Sequence, residues 1–286
     1  MTTLESFDFI DIHYHAAPDL YHRRLNSLDA GRVYQTLNAA VVLNSHLGAT
    51  AVQATMAQAE GLPVLPSLAL NHAVGGIDYH VILHALGEYQ PQMNTKMIVH
   101  FPTITGRHHP SRLNRQIVHP HLSQHLLTGE TLFDDHHQLR KRVIDILKMA
   151  KDYPIVLSTG HANKAEVFAL IDACIQHQVP ALLLNQPANP LTNLQASELQ
   201  TLGEHAFIWI EQTALTYLLG YQDLNDFSSV VTSLPRVIYS SDLGQTNQMD
   251  IKDWHQYTNT LFNTLNLSPK RQRLLRKTNA AHLLRY

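Results

Sequence analysis

The chain has 286 residues, 44% of them hydrophobic, and a net charge of −2. That length can bury a large core, and a near-neutral chain with no basic block excludes a nucleic-acid groove or a polybasic membrane patch. No apolar run reaches the roughly 18 residues of a membrane helix, and the single Cys174 excludes both a disulfide framework and a cysteine-based zinc knuckle.

The opening Met1-Thr2-Thr3-Leu4-Glu5 has no positive n-region and no apolar h-region. Together with the lone thiol it leads us to expect a cytoplasmic protein. Twenty histidines nearly equal the 21 lysines and arginines. Histidine content therefore cannot identify a site, and position must.

Short apolar runs alternate with helical periodicity along the chain. The eight runs are residues 7–13, 40–44, 63–70, 96–101, 155–158, 181–184, 207–211 and 237–241. Such runs suit strands buried on both faces, as in a parallel sheet covered by helices. Between the fourth and fifth runs, Val143, Ile144, Leu147 and Ala150 share one helical face. After the fifth, Asn163-Lys164-Ala165-Glu166 reads as a capping box that opens a helix through Val167, Leu170, Ile171 and Cys174. That places Cys174 in the core. Helical sequence returns from about Pro269 to Leu284.

Eight β-then-α units predict one (β/α)₈ TIM barrel domain over residues 1–286. An open doubly wound sheet would carry G-x-G-x-x-G after the first strand, where this chain has His13-Tyr14-His15. The irregular stretch is residues 105–135, after strand four. It is rich in histidine and arginine, and its length points to a lid or binding loop, or else to disorder. Its cations (Arg107, Arg112, Arg115, His108, His109, His119, His121) suit an anionic substrate. A surface insertion or oligomer contact is the plainer expectation.

A barrel keeps its chemistry where the strands end. Strand one ends in Asp11-Ile12-His13-Tyr14-His15, strand five in Ser158-Thr159-Gly160-His161 and strand eight in Ser240-Ser241-Asp242. Strand side chains alternate, so His13 and His15 face one way and can grip one ion. Asp11 shares that parity and is expected to orient a ligand imidazole. Three imidazoles and a carboxylate suit zinc, with iron or manganese as alternatives. Such an ion lowers the pKa of a bound water towards ~7, and Asp242 could serve as both ligand and general base. Taken singly, each of these residues has a plain structural role; their joint placement at three strand ends carries the reading.

The segments Asp11-Ile12-His13-Tyr14-His15-Ala16-Ala17-Pro18-Asp19, Ser158 to His161 and Ser240-Ser241-Asp242-Leu243-Gly244-Gln245 resemble the amidohydrolase superfamily of metal-dependent hydrolases. So does the Asn279-Ala280-Ala281-His282-Leu283-Leu284 tail. The resemblance spans residues 7–284 and implies an amidohydrolase-like barrel whose H-x-H pair, strand-five histidine and strand-eight aspartate bind metal. Many members also use a strand-six histidine; here Asn185 stands in its place. Binuclear members use a strand-four Lys or Glu; here Lys96 starts that strand, at the wrong end. One divalent ion is therefore expected.

The implied activity is hydrolysis of a C–N or ester bond in a small polar molecule. Decarboxylation, or metal and ligand binding without catalysis, are the alternatives. Asn185 could donate to a substrate oxygen, and Glu211, at the end of strand seven, is a candidate acid/base or substrate anchor. Arg23 or Arg24 could pair with a substrate carboxylate or phosphate, or sit solvated at a helix start; Arg24, His100 and His46 are the candidate substrate contacts. A small-molecule partner is expected, with no nucleic acid or membrane partner, and barrels of this kind often pair as homo-oligomers.

Overall fold

A computed structural model describes residues 3–108 and 111–286. Met1 and Thr2 of the N-terminal reading, and His109 of the loop cluster, lie outside the described residues. The strands are β1 Phe9–His15, β2 Ala39–Asn44, β3 (Val64–Leu65 and Ser67–Ala69, interrupted at Pro66), β4 Met97–His100, β5 Ile155–Ser158, β6 Leu182–Leu184, β7 Ile208–Thr213 and β8 Val237–Ser240. Every neighbouring pair is parallel. Pro66 lacks an N–H, which explains the break that splits the ladder into two hydrogen-bonded sheets. At the seam, the His15 amide donates to Leu243 O at 2.9 Å and the Asp242 amide to His13 O at 2.8 Å. Strand one thereby meets the end of strand eight, and the fold is the (β/α)₈ barrel.

Side chains inside the barrel form one apolar cluster, with Ile12, Val42, Ile98, Val156, Leu183 and Ile238 at its centre. Each such side chain contributes roughly 1.5–3 kcal/mol by leaving water. Leu4, Phe7, Met93, Leu283 and Leu284 belong to the same cluster. The two chain ends thus plug the mouth opposite the strand C-termini. There the Lys96 amide donates to Leu284 O at 2.8 Å, so Lys96 does lie at the closed end. Asn279 Nδ2 ties the tail to Val237 O at 2.8 Å. The remaining apolar faces of the strands pack outward on the helices.

The helices are α1 Ser27–Thr36, α2 Ala51–Ala59, α3 Tyr79–Glu88, α4 Ser123–Leu126, α5 Lys141–Met149 and α6 Lys164–His177. They continue as α7 Ala196–Leu202, α8 Ala214–Leu218, α9 Leu224–Ser233, α10 Ile251–Thr264, α11 Pro269–Arg273 and α12 Asn279–Leu284. The capping box of α6 forms as the sequence predicts. Glu166 N donates to Asn163 Oδ1 at 2.9 Å, and Asn163 N to Glu166 Oε2 at 3.0 Å. Cys174 is buried on the inner face of α6, and burial pushes its thiol up to about 12. The expected outcome is no reaction of the native protein with a thiol reagent at pH 8 and one equivalent after denaturation, read by thiol titration.

The strand-one expectation for Asp11 fails for a local reason. Pairing of β1 with β2 shifts between Asp11 and Tyr14, a β-bulge that sets Ile12 and His13 against one residue of β2. The extra residue turns His13 inward and leaves Asp11 outside. There Asp11 accepts from Tyr34 Oη on α1 at 2.5 Å and from the Ser241 amide at 3.0 Å. Asp11 holds the seam and the bulge, and touches no imidazole of the site.

The described residues of 105–135 reach two other loops at the mouth. Ile117 pairs antiparallel with Tyr21, flanked by His22 N to Gln116 O and Val118 N to Leu20 O, both 3.0 Å. On the other side of the mouth the Arg112 amide donates to Tyr221 Oη at 2.7 Å. Its described residues thus contact the loops after strands one and seven.

Candidate metal centre

His13, His15 and Asp242 meet at the floor of a cavity at the strand C-termini. One ligand atom from each lies within 4.8 Å of the others, and all three residues are buried. His13 Nε2 is 3.3 Å and His15 Nε2 3.4 Å from Asp242 Oδ1. A tetrahedral ion with bonds of about 2.0–2.1 Å sets its ligand atoms roughly 3.3 Å apart. Spacing and chemistry both fit a divalent cation.

The backbone supports this approach. Asp242 sits at φ +53°, a left-handed conformation uncommon outside glycine, asparagine and aspartate. Gly244 follows at φ +114°, and a Cβ there would stand 1.9 Å from His15 O. Only glycine lets the strand-eight loop lie this close to strand one.

Charge balance also calls for a cation. Burial alone would lower the His13 pKa, but the Glu211 and Asp242 carboxylates outweigh it and push it up to about 9. Burial would raise Asp242, yet His13, His15 and His161 hold it below the carboxylate range. His13 thus keeps its proton and Asp242 its negative charge, so the field between them favours positive charge.

Glu211 is not the cavity-facing acid/base or anchor that the sequence suggests. It lies inside the barrel beneath the cavity, 1% exposed. Its Oε1 bonds His13 Nδ1 at 3.0 Å and Ser240 Oγ at 2.7 Å, and its Oε2 accepts from the Gln186 amide at 3.3 Å. Glu211 is a positioning residue: it orients the His13 ring and raises its basicity. Replacement by Gln is expected to weaken metal binding by about 10–100-fold, measured by competition with a chelator.

His161 lines the same cavity, brought there by Gly160 at φ +56°, where a Cβ would stand 2.0 Å from Phe101 O. Its ring does not join the group whose ligand atoms lie within 4.8 Å of one another. Burial lowers its pKa to about 3, so the imidazole is neutral at physiological pH with a lone pair to offer.

His46 and His100 also line the cavity. His46 stacks on His15, ring centroids 4.9 Å apart, and burial lowers it to about 4. His100 Nδ1 bonds Ser158 Oγ at 2.9 Å, while its buried Nε2 has no partner.

Two other expected site residues are elsewhere. Asn185 does not line the cavity: its Nδ2 donates to Gly160 O at 3.2 Å, bracing the turn before His161. Arg24 is exposed and donates to Thr246 O at 3.1 Å and to Gln248 O. It anchors the strand-eight loop rather than a substrate.

The buried arginine is its neighbour, Arg23. Its Nη2 and Nε lie 2.5 and 2.7 Å from Asp19 Oδ2. Asp19 Oδ2 is also 3.3 Å from His46 Nδ1 and 3.6 Å from His15 Nδ1. His15, Asp19 and His46 form a second cluster of ligand type, but the guanidinium already supplies its positive charge. The spacing His15, Asp19, Arg23, four residues each, was the available sequence signal for this network.

Known structures share this architecture. An amidohydrolase from Burkholderia multivorans, with zinc bound in one crystal form, aligns at a TM-score of 0.51 and 9% identity over 96% of this chain and 98% of that one. A second crystal form of it, with HEPES bound, aligns at a TM-score of 0.50, 10% identity, and 96% and 98% coverage. A protein from Agrobacterium tumefaciens in an apo structure aligns at 0.51 and 10% identity over 99% and 98%. The chain thus has the amidohydrolase-type barrel fold. No curated protein matches it in sequence. A family model described as "Family of unknown function (DUF6282)" matches residues 8–211, well over half of the chain, while Ser240, Asp242 and the strand-eight loop lie beyond it. The chain belongs to that family.

Proposed function

We propose that the protein is a metal-dependent hydrolase that cleaves a C–N or ester bond of a small polar substrate. The observation that carries this reading is the convergence of His13 Nε2, His15 Nε2 and Asp242 Oδ1 at one cavity floor, at spacings of 3.3 and 3.4 Å. The barrel shared with a zinc-holding amidohydrolase supports it. A divalent ion there, zinc by its borderline-soft donors, with iron or manganese as alternatives, would polarise a substrate carbonyl and lower the pKa of a water towards ~7.

The chain's own residues do the rest. His13, fixed through Glu211, and His15 present their Nε2 atoms. Asp242 remains ionised at neutral pH and accepts the proton of the attacking water. His100 Nε2, buried and unpartnered at the cavity wall, is placed to bond a substrate oxygen.

Incubation of metal-loaded protein with amides, esters, lactones and aromatic acids in ¹⁸O-labelled water tests this. Products carrying one solvent oxygen are expected. Release of carbon dioxide without ¹⁸O incorporation would assign a decarboxylase, and no turnover across the screen by metal-loaded protein would leave a binding protein.

A further inference from the structure

The loop after β4 places a cation in the cavity without giving it a counter-ion among the described residues. Arg115 lines the cavity together with the metal-centre residues. Its guanidinium lies over the Tyr21 ring, 4.7 Å from the centroid. No hydrogen bond or ion pair engages it among the described residues, whereas Arg23, Arg24, Arg107 and Arg112 around it are each tied to a carboxylate or carbonyl. Arg115 is close enough to His161 for its charge to help hold that imidazole neutral.

The rest of the cavity sharpens the contrast. Among the described residues Asp242 is the single carboxylate that lines it, and it is committed to His13 and His15. The other polar walls are imidazoles, amides and hydroxyls, while Leu113, Leu215 and Leu219 supply an apolar side. Arg115 is half-buried and water can reach it in the free protein, but within the cavity the remaining ionised partner for it is one that a ligand brings. A guanidinium set over a phenol ring keeps its fork of N–H donors, which matches a carboxylate in two parallel hydrogen bonds. The cation–ring contact with Tyr21 favours this placement before binding, which spares entropy.

We propose that Arg115 is the specificity-determining residue of this site and selects a small substrate bearing a carboxylate. The anion-pairing role that the sequence offered to Arg23 or Arg24 passes to Arg115. The proposal deepens the hydrolase reading and rests on it for the word substrate, but the anion site itself needs no metal.

Calorimetric titration of the purified protein with glutarate and with its neutral isostere glutaramide tests it, in metal-loaded and in chelator-treated samples. Glutarate is expected to bind and glutaramide not to, in both samples. Arg115→Gln is expected to weaken glutarate by about tenfold or more, the worth of one charge-assisted pair, and to leave metal content unchanged. Equal behaviour of the acid and the amide, or equal glutarate affinity in Arg115→Gln and wild type, would overturn the proposal. Failure of the protein to hold metal, with the discrimination intact in the chelator-treated sample, would instead strike the hydrolase reading alone.

Discussion

Asp242→Asn is expected to lower kcat/KM by about 10²–10⁴-fold, the usual worth of a general base, with the fold retained. Asparagine suits this test because it tolerates the left-handed backbone that Asp242 adopts at φ +53°. The amide keeps the volume but cannot accept a proton, and it presents a weaker donor beside His13 and His15. Steady-state kinetics with circular dichroism melting reads both halves of the expectation. Normal turnover in this variant would remove Asp242 from the mechanism.

Asp19→Ala is expected to cost about 3–5 kcal/mol of stability, the usual result of stranding one member of a buried ion pair. The Arg23 side chain is 1% exposed and would keep its charge without a partner. The His46 amide and Ser45 Oγ, now 2.7 and 3.2 Å from Asp19 Oδ1, would lose their acceptor too. Urea unfolding of the variant measures this. A double variant, Asp19→Leu with Arg23→Met, is expected to recover most of the loss, because it removes both charges together.

The pH dependence of the same pair has a defined sign. Burial would raise the Asp19 carboxyl, but His46, His15 and Arg23 hold it well below the usual range. Its stabilising contribution is therefore complete above the unfolded carboxylate pKa of about 3.9 and is lost as pH falls through the lower folded value. Wild type and Asp19→Ala should converge in stability only in strong acid.

The barrel was legible in the sequence because its strands are buried on both faces and appear as unbroken apolar runs. All eight were found, with ends shifted by one or two residues; β1 runs to His15 rather than His13. The H-x-H pair and Asp242 were legible because they abut such runs. Side-chain parity was not, because a bulge leaves no mark on composition: one extra residue reversed Asp11 and kept His13 with His15. Glu211 was read as facing the cavity because sequence gives depth along a strand only roughly, and it lies a layer below the rim. Arg24 and Arg23 are adjacent in sequence, and only the packing of the strand-one loop decides which is buried. The role of residues 105–135 rests on long-range pairs, Tyr21 with Ile117 and Arg112 with Tyr221, which no local pattern encodes.

Elemental analysis of the chain after mild purification, wild type beside His13→Ala, reads the cation directly. The account predicts close to one divalent ion per wild-type chain and almost none in the variant. A wild-type chain that neither carries nor takes up such an ion, or a variant that holds as much as wild type, would contradict it.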